Sequence, residues 1–92
     1  MRLEWSPLAK GDLHDAVIYI GQDNPRAADE VEDRILAAAE SLVSNPAKGR
    51  HGRRRGTREW VLPSTPYLLV YRQTELAVEI VRVWHMSRDR LR

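Results

Sequence analysis

The stretch 23-DNPRAADEVEDRILAAAESLVSN-45 decides the fold. Asn24 supplies a side-chain acceptor for the free N–H groups of a helix start, and Pro25 follows where a missing N–H costs nothing. Acidic Asp29 and Glu30 come next, near the positive end of the helix dipole. Ala28, Val31, Ile35, Ala38, Ala39 and Leu42 then recur at helical spacing as one apolar stripe, while Asp29, Glu32, Asp33 and Glu40 face elsewhere. Asn45-Pro46 ends the helix. A single apolar stripe must be buried against something, so the flanking segments have to supply its partner.

Upstream, Ser6-Pro7 repeats the combination of capping hydroxyl and first-turn proline. Ala9, Leu13, Ala16, Val17 and Ile20 recur at helical spacing, and Gly21 suits the exit. The short link to Asn24 predicts an antiparallel helical hairpin. Before it, Arg2-Leu3-Glu4-Trp5 alternates like a short half-buried strand. Downstream, 57-TREWVLP-63, 67-YLLVYRQ-73 and 76-LAVEIVRVWH-85 are dominated by strand-forming residues. Ser64-Thr65-Pro66 separates the first two and Thr74-Glu75 the last two, which predicts an antiparallel meander. The middle run is almost continuously apolar and suits burial on both faces or at the sheet centre. The expected fold class is α+β in the order β-αα-βββ, with the helical hairpin on one face of a small antiparallel sheet and the other face partly open.

At 92 residues and 42% hydrophobic content the chain can build one core but not two, so residues 1–92 are read as a single domain. No cysteine is present, which excludes disulfide and thiolate chemistry and is compatible with a reducing cytoplasm. MRLEWSPLAKGDL resembles neither a signal peptide nor a membrane span, so a cytoplasmic protein without a membrane partner is expected. The net charge of +2 conceals a split: residues 1–45 carry −5 and residues 46–92 carry +7. An anionic partner would bind the second half. At its centre lies 49-GRHGRRRGTREW-60, with five arginines and three glycines. Residues 49–56 read as a mobile cationic loop with glycine hinges, in which Arg50, Arg53, Arg54 and Arg55 contact a target, a nucleic acid or an acidic partner segment. A merely solvated loop is the bland alternative.

His14, His51 and His85 are scattered without metal-ligand spacing, and glycine-rich phosphate motifs are missing, so neither a metal nor a cofactor is expected. Arg58, Arg72 and Arg82 interrupt three successive strands, and His85 follows Arg82 by three residues. Arginine in such a strand implies a face that is open or paired. Two readings stay open. Arg58, Glu59, Glu79 and Arg82 form cross-strand ion pairs on a solvated face. Alternatively, arginines on an open concave sheet hold a phosphodiester while His85, an imidazole of ordinary pKa about 6.5, moves a proton. Trp60 and Trp84 read as packing residues before base-stacking platforms. Arg58 and Trp60, with one residue between them, should share a sheet face.

The hairpin with YIGQDNPRAADEV, the segment RGTREWVLP, the strand PYLLVYR and the ending VEIVRVWHMSRD together resemble a toxin of the RelE/ParE superfamily of bacterial toxin–antitoxin modules, over nearly the whole chain. The resemblance implies a small toxin neutralised by a cognate antitoxin, in a toxin–antitoxin hetero-oligomer where an extended or helical antitoxin segment wraps the toxin. RelE-like members cut mRNA in the ribosome, which requires activating a ribose hydroxyl, stabilising the charged phosphorane and protonating the leaving oxygen. ParE-like members inhibit DNA gyrase and need no such residues.

Alignment of Tyr67-Leu68-Leu69-Val70-Tyr71 with the corresponding RelE and YoeB strand places Leu68 where the nucleases carry an arginine, and Pro63 where RelE has another. Arg82 matches the last-strand arginine of YoeB-like toxins, but their histidine falls at Trp84, and His85 falls at the tyrosine that follows. The ending W-H-M-S-R-D resembles the ParE-type L-H-x-x-x-D, with His85 and Asp89 in register. The resemblance therefore implies a ParE-like inhibitor of DNA gyrase. One alternative is a ribosome-dependent mRNA endonuclease in which Arg58, Arg82 and His85 are catalytic. Another is a degenerate, non-toxic partner kept for antitoxin binding.

Overall fold

Both helices begin at the expected caps. In the computed structural model, which describes residues 1–88, Ser6 Oγ accepts from Ala9 N at 3.0 Å and Asn24 Oδ1 accepts from Ala27 N at 3.1 Å. Each cap satisfies an orphan donor and is worth about 1 kcal/mol. The helices α1 (Pro7–Gly21) and α2 (Pro25–Ser44) follow strand β1 (Arg2–Trp5). After a short 3-10 turn (Pro46–Lys48) come β2 (Arg50–His51), β3 (Arg58–Val61), β4 (Tyr67–Gln73) and β5 (Ala77–His85). Asp29 and Glu30 fall beyond the first turn of α2, so the dipole acts on them weakly.

The five strands form one sheet in the order β1-β5-β4-β3-β2. The meander of β3, β4 and β5 is antiparallel as expected, and two further strands extend it. β1 runs parallel to β5, from Arg2 opposite Ala77 to Trp5 opposite Ile80, which makes the sheet mixed. A parallel partner requires a long crossover, and the helical hairpin with everything up to β4 provides it.

Tyr67, Leu69 and Tyr71 of β4 and Val78, Ile80 and Val83 of β5 pack with Ala9 and Ala16 of α1 and Ile35, Ala39 and Leu42 of α2 in one core cluster. The stripe expected on α2 is the buried one, with Val31 and Ala38 half-buried at its margin. Fully burying Ile35 and Leu42 contributes about 1.5–3 kcal/mol each. A β-bulge between the Val70 and Tyr71 pairings shifts the phase of β5, so Ile80 and Val83 reach the same core. The alternate residues Leu68 and Val70 point away from the helices, yet each is only 2% exposed. The far face is therefore covered at the sheet centre, the burial on both faces that the continuously apolar middle run suggested.

Beyond β1 the outer edge of β5 is closed by the start of α1. Ser6 N donates to Ile80 O and Ser6 Oγ to Val81 O, at 2.9 and 2.8 Å. One turn further, the Asp12 carboxylate accepts from Val83 N at 2.9 Å. These contacts occupy backbone groups that would otherwise invite another strand.

The arginine-rich segment is a hydrogen-bonded hairpin, which corrects the reading of a mobile loop. β2 pairs with β3, Arg50 opposite Glu59 and His51 opposite Arg58. Gly52 N donates to Thr57 O at 2.8 Å, and Thr57 Oγ1 donates to Arg54 O at 2.7 Å. The root is fixed by Tyr71, whose hydroxyl accepts from Gly49 N at 2.8 Å and donates to Pro46 O at 2.7 Å. Gly49 is not a hinge: a β-carbon there would lie 2.7 Å from both Glu59 O and the Tyr71 hydroxyl. Its glycine is required by close approach, whereas Gly56 is required by its backbone, at φ +82°.

Burial raises the Tyr71 phenol above the ordinary tyrosine value, against opposing pulls from the Gly49 N–H and the Arg58 charge, so it keeps its proton at neutral pH. Tyr71→Phe is expected to cost about 2 kcal/mol, because two backbone groups at the hairpin root lose their partner. Urea unfolding should show this as a lower midpoint with an unchanged slope.

Candidate functional site

The three residues expected to act together in a nuclease do not converge. Arg58 lies opposite Tyr71 and His85 opposite Tyr67 on the helix-covered face. Four residue steps along β4, from Tyr67 to Tyr71, separate these positions, about 13 Å at the rise of an extended strand. Arg82 lies opposite Val70, on the other face.

Each has a structural engagement. Arg58 Nη1 donates to Gly49 O at 2.8 Å. Arg82 grips Asp12 of α1 through two bonds, Nε to Oδ2 at 2.8 Å and Nη2 to Oδ1 at 3.0 Å, and stands 5.7 Å from the Trp84 ring centroid. The Nδ1 of His85 accepts from Arg88 N at 2.9 Å and Ser87 N at 3.2 Å, which directs the proton of a neutral ring to Nε2. The His85 ring also meets Tyr67 edge-on, with centroids 5.1 Å apart. The Arg88 guanidinium lies 4.0 Å from the Tyr19 ring centroid and donates to the Tyr67 hydroxyl. Asp89, which completes the ParE-like ending, lies outside the described residues.

Ion pairs exist on the strands, but with different partners from those expected. Glu59 is 3% exposed; its carboxylate accepts from Arg50 Nη2 at 3.3 Å and from the Arg53 backbone N–H at 3.2 Å. One buried carboxylate thus holds both β2 and the start of the arginine tip. Arg72 Nε pairs with Glu79 at 2.6 Å, half-exposed. Arg53, Arg54 and Arg55 are exposed at the hairpin tip, a concentrated positive potential on a hydrogen-bonded support. Arg58 and Trp60 share a face as alternation requires, and Trp60 packs there against the core with Lys48 over its ring at 4.3 Å.

Asp12 escaped the sequence reading, and Glu59 and Arg72 were noted without their actual partners. Asp12 falls between Ala9 and Ala16 on the inner side of α1, and a carboxylate in an apolar stripe signals a buried partner. Glu59 carries the same signal in a strand, but nothing in the local sequence names Arg53 N as its donor. Arg72 was noted only as an interruption of β4. Leu68 and Pro63, which stand at nuclease arginine positions, are a buried side chain and an exposed turn residue whose carbonyl accepts from Arg34.

A model of the family described as "ParE toxin of type II toxin-antitoxin system, parDE" matches residues 3–90. The chain belongs to the ParE toxin family. Among similar proteins, Y4kP of Sinorhizobium fredii is 42% identical over 84 residues, covering 91% of this chain and 86% of that protein. Toxin RelE2 of Caulobacter vibrioides is 36% identical over 84 residues, covering 91% and 93%. Toxin RelE1 of the same organism is 32% identical over 79 residues, covering 84% of each. A chain of the chromosomal ParDE system from P. aeruginosa shares the fold of this ParE-family chain, with a TM-score of 0.84 at 24% identity over 92% and 95% of the two chains. Among the described residues, no helix is long and apolar enough to cross a membrane.

Proposed function

We propose that this toxin acts in the ParE manner, by binding and poisoning DNA gyrase, and that a cognate antitoxin neutralises it. The supporting observation is the dispersal of Arg58, Arg82 and His85 over two faces and both ends of β4, which leaves no common point for a scissile phosphate and a proton donor. The arginine hairpin, held by Glu59 and Tyr71, serves as the electrostatic contact to the target through Arg50, Arg53, Arg54 and Arg55. For the antitoxin, the groove between α2 and β3 offers an apolar floor with Ala38, Trp60 and Leu62, flanked by Arg34 and Lys48. An acidic amphipathic segment that folds on binding suits it.

Purified toxin in excess should block gyrase supercoiling of relaxed plasmid or stabilise the cleaved complex, and added antitoxin should reverse this. Unchanged supercoiling with no cleaved complex would reject the gyrase target.

Ribosome-dependent mRNA cleavage is the second reading, favoured by the RelE names of the two Caulobacter relatives. Two variants separate them: His85→Ala, and Arg82→Lys, which keeps a cation for Asp12. Gyrase poisoning predicts that both stay toxic in cells. Loss of toxicity in both, with antitoxin binding intact, would favour cleavage.

A further inference from the structure

The strand order leaves β1 at one end of the sheet, with no strand along its outer edge. In a parallel pair the bonding residues alternate, and here Arg2 N donates to Leu76 O at 3.0 Å and Ser6 N to Ile80 O at 2.9 Å. The even-numbered residues therefore turn their backbone toward β5. Leu3 and Trp5 turn theirs outward, and among the described residues neither backbone has a partner outside the sheet. Such a row is a template for another strand. β1 is short, but it has no proline, bulge or inward-turned charge to repel one.

The charges on β1 fit a second copy of itself. Arg2 and Glu4 are exposed on the far face, while Leu3 and Trp5 pack on the core side. When two β1 strands run antiparallel with Leu3 opposite Leu3, Arg2 of each meets Glu4 of the other. A slip of two residues either way keeps the faces in phase but sets Arg2 against Arg2 or Glu4 against Glu4. Only one in-phase register satisfies both charges. Within the chain Glu4 also lies opposite a like charge, Glu79, which has Arg72 on its other side. An arginine arriving from outside completes the row Arg72, Glu79, Glu4 with a second cation. It would extend the solvated Arg2–Glu4 pair of one strand, at 3.0 Å, into a ring of four charges. On the core side the same register sets Met1 of one copy opposite Trp5 of the other. Trp5, Leu13, Val17 and Leu36 line an open cleft of about 370 Å³ there, and Met1 and Leu36 are both exposed, so each gains cover.

We propose that two copies of this chain pair through β1, antiparallel and with Leu3 opposite Leu3 on a twofold axis, so that their sheets become one. The arginine hairpins, which include β2 at the opposite edge, then stand at the two ends of that sheet. A second copy suits the edge better than an acidic partner segment, which would meet Glu4 beside Glu79. Pairing over a strand of four residues buries far less than the roughly 1,200 Å² of a stable interface, so the association is weak and reversible. It is independent of the target: a chain that fails to inhibit gyrase would still pair in this way.

Sedimentation of the whole chain over a wide range of concentration is the test. The wild type should pass from monomer to dimer. Arg2→Glu and Glu4→Arg, both at exposed positions, should fold normally, which urea unfolding checks. Each should weaken dimerisation about tenfold by setting like charges opposite one another. Mixed together, the two single variants should pair with each other, and the double variant carrying both reversals should pair with itself as the wild type does. A wild type that stays monomeric up to millimolar concentration would overturn the proposal. So would a dimer equally strong in both single variants, or a mixture that restores nothing, because either places the interface away from β1. Protection of the Leu3 and Trp5 amides from hydrogen exchange that appears with antitoxin, and not with rising toxin concentration, would give the edge to the antitoxin instead.

Discussion

Asp12→Ala is expected to lower the unfolding free energy by about 2–4 kcal/mol, among the largest effects of any polar substitution in this protein. The Asp12 side chain is 16% exposed and that of Arg82 31%, so the pair sits at the dry margin of the core and is only partly screened by solvent. One carboxylate accepts two guanidinium bonds and the Val83 backbone N–H. Alanine removes all three and uncovers the edge of β5 beyond β1. Asp12→Asn should fall in between, because its amide oxygen still accepts from Val83 while the charge is lost. Urea unfolding of the three proteins measures the series. Equal stability of wild type and Asp12→Ala would show that the grip of α1 on β5 is apolar packing alone.

Gly49→Ala should cost about 3 kcal/mol and move the arginine hairpin as a body. Its new methyl would meet Glu59 O and the Tyr71 hydroxyl, each at 2.7 Å, and neither is the free end of a flexible side chain. Combining it with Tyr71→Phe gives a sharper readout. The phenylalanine removes the hydroxyl and leaves the Glu59 carbonyl and the ring Cε1 at 2.9 Å, so the double variant should lose somewhat less than the sum of the singles. Strict additivity would mean that the strain is relieved elsewhere.

Local signals made most of the fold legible. Ser6-Pro7 and Asn24-Pro25 mark both helix starts because capping chemistry acts within one turn. The α2 stripe emerged because burial imposes the helical period. The parallel pairing of β1 with β5 was not legible, since no short-range pattern specifies which edge a four-residue strand will join. The bulge in β5 was hidden for a related reason. Simple alternation puts Arg82 on the face of Ile80, and the one-residue slip sends it to the other face and brings Val83 into the core. Arg82 and His85 both follow the slip and, three residues apart, fall on opposite faces by alternation alone, so that part of the candidate site's dispersal was legible in the spacing. Glycine density suggested hinges because composition cannot distinguish a glycine needed for freedom from one needed for closeness, as at Gly49.

The pairing of β1 with β5 also has a consequence in time. Arg2 to Trp5 are made long before their strand partner, Ala77 to Ile80. Contacts so distant along the chain are slow to form, because a long loop must close before any of them gains stability. On a growing polypeptide β1 therefore waits, without its partner, until β5 has been synthesised. The helical hairpin can assemble early from neighbouring residues, whereas the completed sheet, and any surface that depends on it, must await β5.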